Sequence, residues 1–348
     1  MYSLSQLIRG LRTPSLLCRE ANRLYYRRLN NRRYNVSGVG VFDEDWDTLI
    51  ILDACRYDMF KRISNLPGRL ESRISRGSST PEFLVANFDD RDLLDTVYVT
   101  ANPQLYRNRH RIDTDLHAVI DVWNDEGWDD RYGTVLPETV ADAALDAAET
   151  YPNKRHVVHF MQPHYPFLTD ETEFDKGHLE DEDTEEGNVW TKLMEGTLDV
   201  DASKIKALYD QNLRRALPSV KQLLDELPGK TVVTADHGNM LGERSRPIPI
   251  REWGHPRGIY TDELVTVPWL VVDSETRRDI VAKRRRRRRS TGGCGERAPS
   301  TVGIHGVIRS DRRLLELNPV RDSDRHTLVI ERRIPASHDE RHARGAGA

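Results

Sequence analysis

Five short apolar runs constrain what this chain can fold into. DTLIILDA (47–54), VYVT (97–100), HVVHFM (156–161), TVVTAD (231–236) and ELVTVPWLVV (263–272) each have the length and composition of a buried strand. Helical patterns at 112–125, 137–150 and 202–227 separate them. Strands alternating with helices predict an α/β fold: a central, mostly parallel or mixed sheet sandwiched by helices. In such folds ligands bind beyond the C-terminal ends of the strands. Two of the runs end there in aspartate, at Asp53 and Asp236.

The 348 residues suffice for one large domain. Three regions differ in character. Residues 1–40 read as a basic helical arm: Leu4, Leu7, Ile8 and Leu11 keep helical spacing, Pro14 interrupts, and a second helix is expected from Ser15 to about Leu29. Such an arm either lies on an anionic membrane surface or packs on the body. Residues 41–280 form the expected catalytic domain. Within it, 169–200 is acidic and reads as an exposed insertion or lid. From 281 to 348 the text changes abruptly, beginning with KRRRRRR (283–289), and reads as a disordered Arg-rich tail or a shifted reading frame. From Arg284 onward there are 16 Arg against 8 carboxylates, while the whole chain carries −4, so the body is strongly acidic. Adaptation to high salt and codon bias both fit a body so poor in Lys. A nucleic-acid role for the tail is not favoured. No run of about 18 apolar residues marks a membrane span. Met1 to Arg33 lacks a signal-peptide pattern, and the three cysteines are far apart. These features lead to an expectation of a cytoplasmic protein, with peripheral membrane contact through its arm left open.

The chemistry concentrates in a few motifs. TVVTADHGNMLGER (231–244) ends a strand in Asp236-His237-Gly238, one hard oxygen and one imidazole nitrogen suited to a divalent metal. LIILDACRYD (49–58) places Asp53 likewise, with Arg56 three residues on as a candidate anion ligand or a partner for a nearby Asp. Cys55 has no base partner and reads as core. In SRGSSTPEFLVANF (75–88), hydroxyl residues precede Pro81, which suits a helix start whose free N–H groups face an anion. Ser79 or Thr80 is either the N-cap or a reacting hydroxyl. VVHFMQPHYPF (157–167) carries His159, Gln162 and His164, and REWGHPRG (251–258) carries His255 and Arg257 in a Gly/Pro turn. The two turn histidines, His164 and His255, suit anion binding or protonation of a leaving group.

In this order, across roughly residues 47–273, the motifs resemble the alkaline phosphatase and sulfatase superfamily. The resemblance implies an α/β sandwich and transfer of a phosphoryl or sulfuryl group through a covalent intermediate. It implies Asp53, Asp236 and His237 as ligands of a divalent metal (zinc, manganese or calcium, one per chain). Ser79 stands at the nucleophile's place, with Thr80 as fallback. His255 is placed at the leaving group, and Arg56, His164 and Arg257 at the substrate, an anionic ester such as that of a glycan or lipid head group. Phe83 stands where sulfatases need Arg to make formylglycine, and Ala54 where they have a second carboxylate. A plain hydroxyl and a single metal are therefore expected. The rival reading is a non-catalytic, metal-stabilised binder of anionic glycans or lipids.

Overall fold

In the computed structural model, residues 13–124, 127–176 and 188–282 are described. The first predicted arm helix and the Arg-rich tail lie outside them.

The elements run in the order α1 (Pro14–Tyr26), β1 (Thr48–Asp53), α2 (Tyr57–Ile63), β2 (Arg69–Ile74), α3 (Thr80–Phe88), β3 (Arg91–Thr100), α4 (Gln104–Arg107), β4 (Thr114–Asp121), β5 (Trp128–Asp129), β6 (Thr134–Val135), α5 (Pro137–Thr150), β7 (Arg155–Pro163), α6 (Val189–Glu195), α7 (Ala202–Glu226), β8 (Thr231–Thr234), β9 (Met240–Arg244), β10 (Arg251–Gly254), α8 (Asp262–Val265) and β11 (Thr266–Val272). Seven strands form one mixed sheet in the order β2-β11-β8-β1-β7-β3-β4. β11 alone runs antiparallel to its neighbours. β1, β7 and β8 are buried along their whole length or nearly so, as a parallel sheet covered on both faces requires.

Successive residues of these strands feed two separate cores. Ile50 and Leu52 face the one covered by α2, α5 and α7; Leu49 and Ile51 face the one covered by α3 and α4. The predicted architecture is thus observed, with two corrections to its parts. Residues 112–125, expected as a helix, hold the edge strand β4 and one 3-10 turn. TDLHAVID alternates in a way that a half-covered edge strand tolerates, and β4 pairs only with β3. Within the acidic stretch, α6 buries Val189, Trp190 and Leu193 against the core, so that end of the expected loop is structural. Among the described residues no helix is long and apolar enough to cross a membrane.

Helix α1 is packed on the body, chiefly through polar contacts. Asn22 is fully buried and bonds Ser245 Oγ and the Ile248 carbonyl. Arg19 pairs with the buried Glu252 and Arg27 with the buried Glu82. At the other end of the domain, residues 273–282 run back across the N-terminal ends of the strands. There Arg277 holds Asp45 and Asp47, and Lys154 Nζ donates to the Val281 carbonyl.

Candidate metal centre and nucleophile

The site lies where the C-terminal ends of β1, β7 and β8 meet the start of α3. Asp53 closes β1, and Asp236 follows β8. Between Asp53 and α2 the chain turns at Ala54, whose φ of 56° is left-handed and strained for a residue with a Cβ. That turn points the Ala54 N–H at Asp236 Oδ1, 3.0 Å away. The His237 N–H donates to the same oxygen at 2.9 Å. Backbone donors thus fix one oxygen of Asp236 and leave Oδ2 facing the cluster.

Five side chains converge there. Thr80 Oγ1 donates to Asp236 Oδ2 at 2.7 Å and lies 3.3 Å from His237 Nε2. His237 Nε2 is 3.3 Å from Asp236 Oδ2 and 3.7 Å from Asp53 Oδ1. His159 Nε2 approaches Asp236 Oδ2 from another side, at 3.9 Å. Asp53, His159 and Asp236 each offer one ligand atom within 4.8 Å of the others. All five residues are buried.

The electrostatics of this cluster call for a cation. Burial, and then the neighbouring Asp236, push the Asp53 carboxyl well above the usual carboxylate range. Asp53 Oδ1 and His159 Nε2 are buried with no hydrogen-bond partner. The tautomers are arranged for ligation as well. The Gly238 carbonyl lies 2.7 Å from His237 Nδ1 and fixes the proton there, leaving the Nε2 lone pair toward the carboxylates. Tyr98 Oη, 2.7 Å from His159 Nδ1, can do the same for the second imidazole. Burial lowers both histidines to a pKa of about 4, so they stand neutral, as ligands must. Two carboxylates, two imidazoles and a hydroxyl fit a divalent metal.

The other predicted residues divide into two groups. His255 joins the cluster: its ring centroid is 4.7 Å from that of His237, and its Nε2 is 2.9 Å from His164 Nε2. The Tyr165 carbonyl, 2.5 Å from His164 Nδ1, assigns the proton there, so His255 Nε2–H is the donor of the pair. Gly254 makes this placement possible. Its φ is 76°, and a Cβ there would stand 2.4 Å from the Trp190 ring. Arg257 lies in the same turn, half-buried, with its Nε buried and without a partner.

Arg56 and Ser79 take the structural alternatives that the sequence left open. The Arg56 guanidinium forks onto Asp58 at 2.9 and 2.8 Å and also donates to Glu243 and the Asn239 carbonyl. Its donors are spent on the protein, which makes it a clamp between α2 and β9. Ser79 is the N-cap of α3 in extended conformation, and its buried Oγ has no hydrogen-bond partner. Thr80, the first helical residue, is the one whose hydroxyl enters the cluster. His159 was visible in the sequence only as a lone histidine inside an apolar strand, with no local pattern to mark it.

No family model matches the chain, and no curated protein is similar to it. Solved structures similar to it are phosphoethanolamine transferases and sulfatases. The integral membrane lipooligosaccharide phosphoethanolamine transferase A of Neisseria meningitidis shares 12% identity over 66% of this chain, with a TM-score of 0.40. The chain spans 47% of that protein's length. The C-terminal periplasmic domain of the transferase EptC from Escherichia coli, in complex with Zn, shares 14% identity over 66% of this chain and 72% of its own, with a TM-score of 0.42. A sulfatase-type structure from Bacteroides thetaiotaomicron shares 12% over 66% of this chain and 65% of its own, with a TM-score of 0.37.

Proposed function

We propose that this protein is a metal-dependent transferase or hydrolase of phosphate or sulfate esters, of the alkaline phosphatase and sulfatase type, with Thr80 as its nucleophile. One observation carries the reading: Thr80 Oγ1 lies 2.7 Å from a buried carboxylate oxygen and 3.3 Å from an imidazole nitrogen, at the N-terminus of α3. A hydroxyl so held is an activated nucleophile, and the N–H of Thr80 itself, beside Pro81 and ahead of Glu82 and Phe83 that donate to the Ser79 carbonyl, is the helix-start donor left for an oxygen of the ester.

Asp53, His159, Asp236 and His237 would hold the metal. It would supply Lewis acidity, polarising the ester and favouring the Thr80 alkoxide. Two imidazoles in the set favour zinc or manganese over calcium, which prefers an all-oxygen shell. The chain's own groups do the rest. Thr80 gives up its proton to Asp236 Oδ2. Its oxygen bonds to phosphorus or sulfur as the bond to the departing alcohol breaks. His255, as the imidazolium, protonates that alcohol from the ring nitrogen that His164 does not hold. Water or a second alcohol then displaces Thr80 and restores the hydroxyl.

A lipid or glycan head group suits such a site. Leu17, Tyr25 and Leu29, exposed on and just after α1, are the groups a peripheral contact with an anionic surface would use. The free thiols of Cys18 and Cys55 are all that favours the expected cytoplasmic placement.

The test is a panel of nitrophenyl phosphate and sulfate mono- and diesters with added zinc or manganese, followed by mass spectrometry of the quenched protein. A phosphoryl or sulfuryl adduct on the peptide holding Thr80 is expected. Full turnover by Thr80→Ala would end this reading.

A further inference from the structure

Next to the nucleophile the protein gathers more positive charge than its own carboxylates neutralise. The turn after His255 is tied directly to the loop before Thr80. Gly258 N–H donates to Ser78 Oγ at 2.9 Å, and Ser78 Oγ, whose proton goes to Glu82, lies 3.2 Å from the Pro256 carbonyl. Helix α1 closes this turn from behind. Arg23 Nε donates to the Arg257 carbonyl at 2.8 Å. Arg27 packs so tightly on Gly258 that a Cβ there would stand 2.5 Å from its Nε.

Glu20 pairs with Arg23, and Glu82, the carboxylate facing Arg27, is fully committed. It is 0% exposed, and it accepts from Ser78 N and Oγ, from Arg27 Nη2 at 3.1 Å and from Tyr260 Oη at 2.8 Å. Arg257 is left over. Its guanidinium donates no hydrogen bond among the described residues, although Nε is buried and the residue is only partly exposed. Burial, and then the charges of Arg111 and Arg27, hold it below the ordinary arginine value, and Glu82 offsets this in part. A half-desolvated guanidinium pressed by two others, with its fork free, is a site for an anion.

We propose that Arg257, on the turn that follows His255, binds a second anionic group of the substrate, with the positive charges of Arg27 and Arg111 adding to its pull. This rests on the ester-transfer reading of the Thr80 centre and narrows its substrate class. The ester, or the alcohol that accepts the transferred group, carries a further phosphate, sulfate or carboxylate near the reacting centre. The N-terminal helix thereby becomes part of the binding site.

The experiment compares nitrophenyl phosphodiesters whose retained alcohol is ethanol or glycolate, and glycerol with glycerol phosphate as acceptors. The wild type should prefer the anion-bearing member of at least one pair. Arg257→Gln should cut that preference about ten- to hundredfold, the range for a charge-assisted contact. Arg111→Gln, on the surface, should cut it about two- to threefold and guards against a folding artefact at Arg257. Turnover of the ethanol diester with preferences unchanged in both variants would overturn the proposal. If the wild type turns over no ester, the ester-transfer reading fails, and binding decides this one. Calorimetric titration of the metal-free protein with pyrophosphate should show affinity at least about tenfold weaker in Arg257→Gln. Equal affinity would sink the proposal.

Discussion

The two ends of the central sheet use the same residue types to opposite ends. At the N-terminal ends of the strands, Asp47 is buried, and both its oxygens are engaged, by the Lys230 N–H at 2.7 Å and by Arg277 at 2.6 and 3.2 Å. His156 there receives Arg278 Nη1 on Nδ1 at 3.0 Å and faces the Ala147 carbonyl with Nε2. At the C-terminal ends, Asp53 and Asp236 are equally buried, but no arginine or lysine is paired with them among the described residues. Burying a charge is costly unless it is paired. One end has met that cost with its own cations, and the other leaves it open for a bound one. The orphaned Asp53 Oδ1 and His159 Nε2 mark which end is built for chemistry.

The largest effect expected follows from that contrast. Asp236→Asn should lose bound metal and lower ester turnover by about a thousandfold or more, since it alters ligand and base together. Metal content of the purified variant and its kcat/KM measure this. Stability should move the other way. Removing one of two like charges in a dry site relieves repulsion, so metal-free Asp53→Asn should melt at a higher Tm than metal-free wild type. A lower Tm would mean that Asp53 is paired as Asp47 is, and the comparison would collapse.

The next effect separates two adjacent hydroxyls. Thr80→Ala should cost roughly a hundred- to ten-thousandfold in kcat with metal retained, and Ser79→Ala no more than about severalfold. Thr80→Ser should recover part of the loss. The reverse order would restore Ser79, the residue the motif alone favours.

This one-residue ambiguity shows where legibility in the sequence ended. TVVTADHG and DTLIILDA announced their strands and their aspartates because fully buried strands are apolar throughout and the ligand follows at once. The strands β2 and β4 were not legible. They lie at the sheet edges, where RLESRI and TDLHAVID alternate and satisfy several readings. Whether Ser79 or Thr80 enters the cluster depends on which of them is the last extended residue before α3, a matter of one φ/ψ pair. His159 was hidden because its partners, Tyr98 and Asp236, come from other strands. The same holds for Arg27 and Glu82, which are 55 positions apart in the chain.

At the structural end the effects are smaller and fall on stability. Asp47→Ala strands the N–H of Lys230 and frees Arg277, whose side chain is 45% exposed and can return to water. A loss of about 2–3 kcal/mol is therefore expected, below the range for a fully buried pair. Metal content and turnover per folded molecule should stay at wild-type values. Denaturant melts with parallel metal analysis check both. A drop in metal content would show that the two ends are coupled through β1.

The smallest effect is a pH dependence confined to the same end. Burial, and then the charge of Arg278, lower the His156 pKa from 6.5 to about 4. The unfolded chain therefore binds the proton first. The stability His156 contributes is complete above about pH 6.5 and is lost as pH falls toward 4. Solvent screening of the partly exposed Arg278 limits the amount to roughly 1–2 kcal/mol. The metal-site histidines titrate in the same window, so the wild-type curve alone does not isolate His156. The difference between wild type and His156→Gln does. A glutamine amide can accept from Arg278 and donate to the Ala147 carbonyl without titrating. The variant should lose stability less steeply than wild type between pH 6.5 and 4, by that amount, and match it above pH 7. Identical slopes would assign all the acid sensitivity to the catalytic end, where protonation of His159 and His237 competes with the metal.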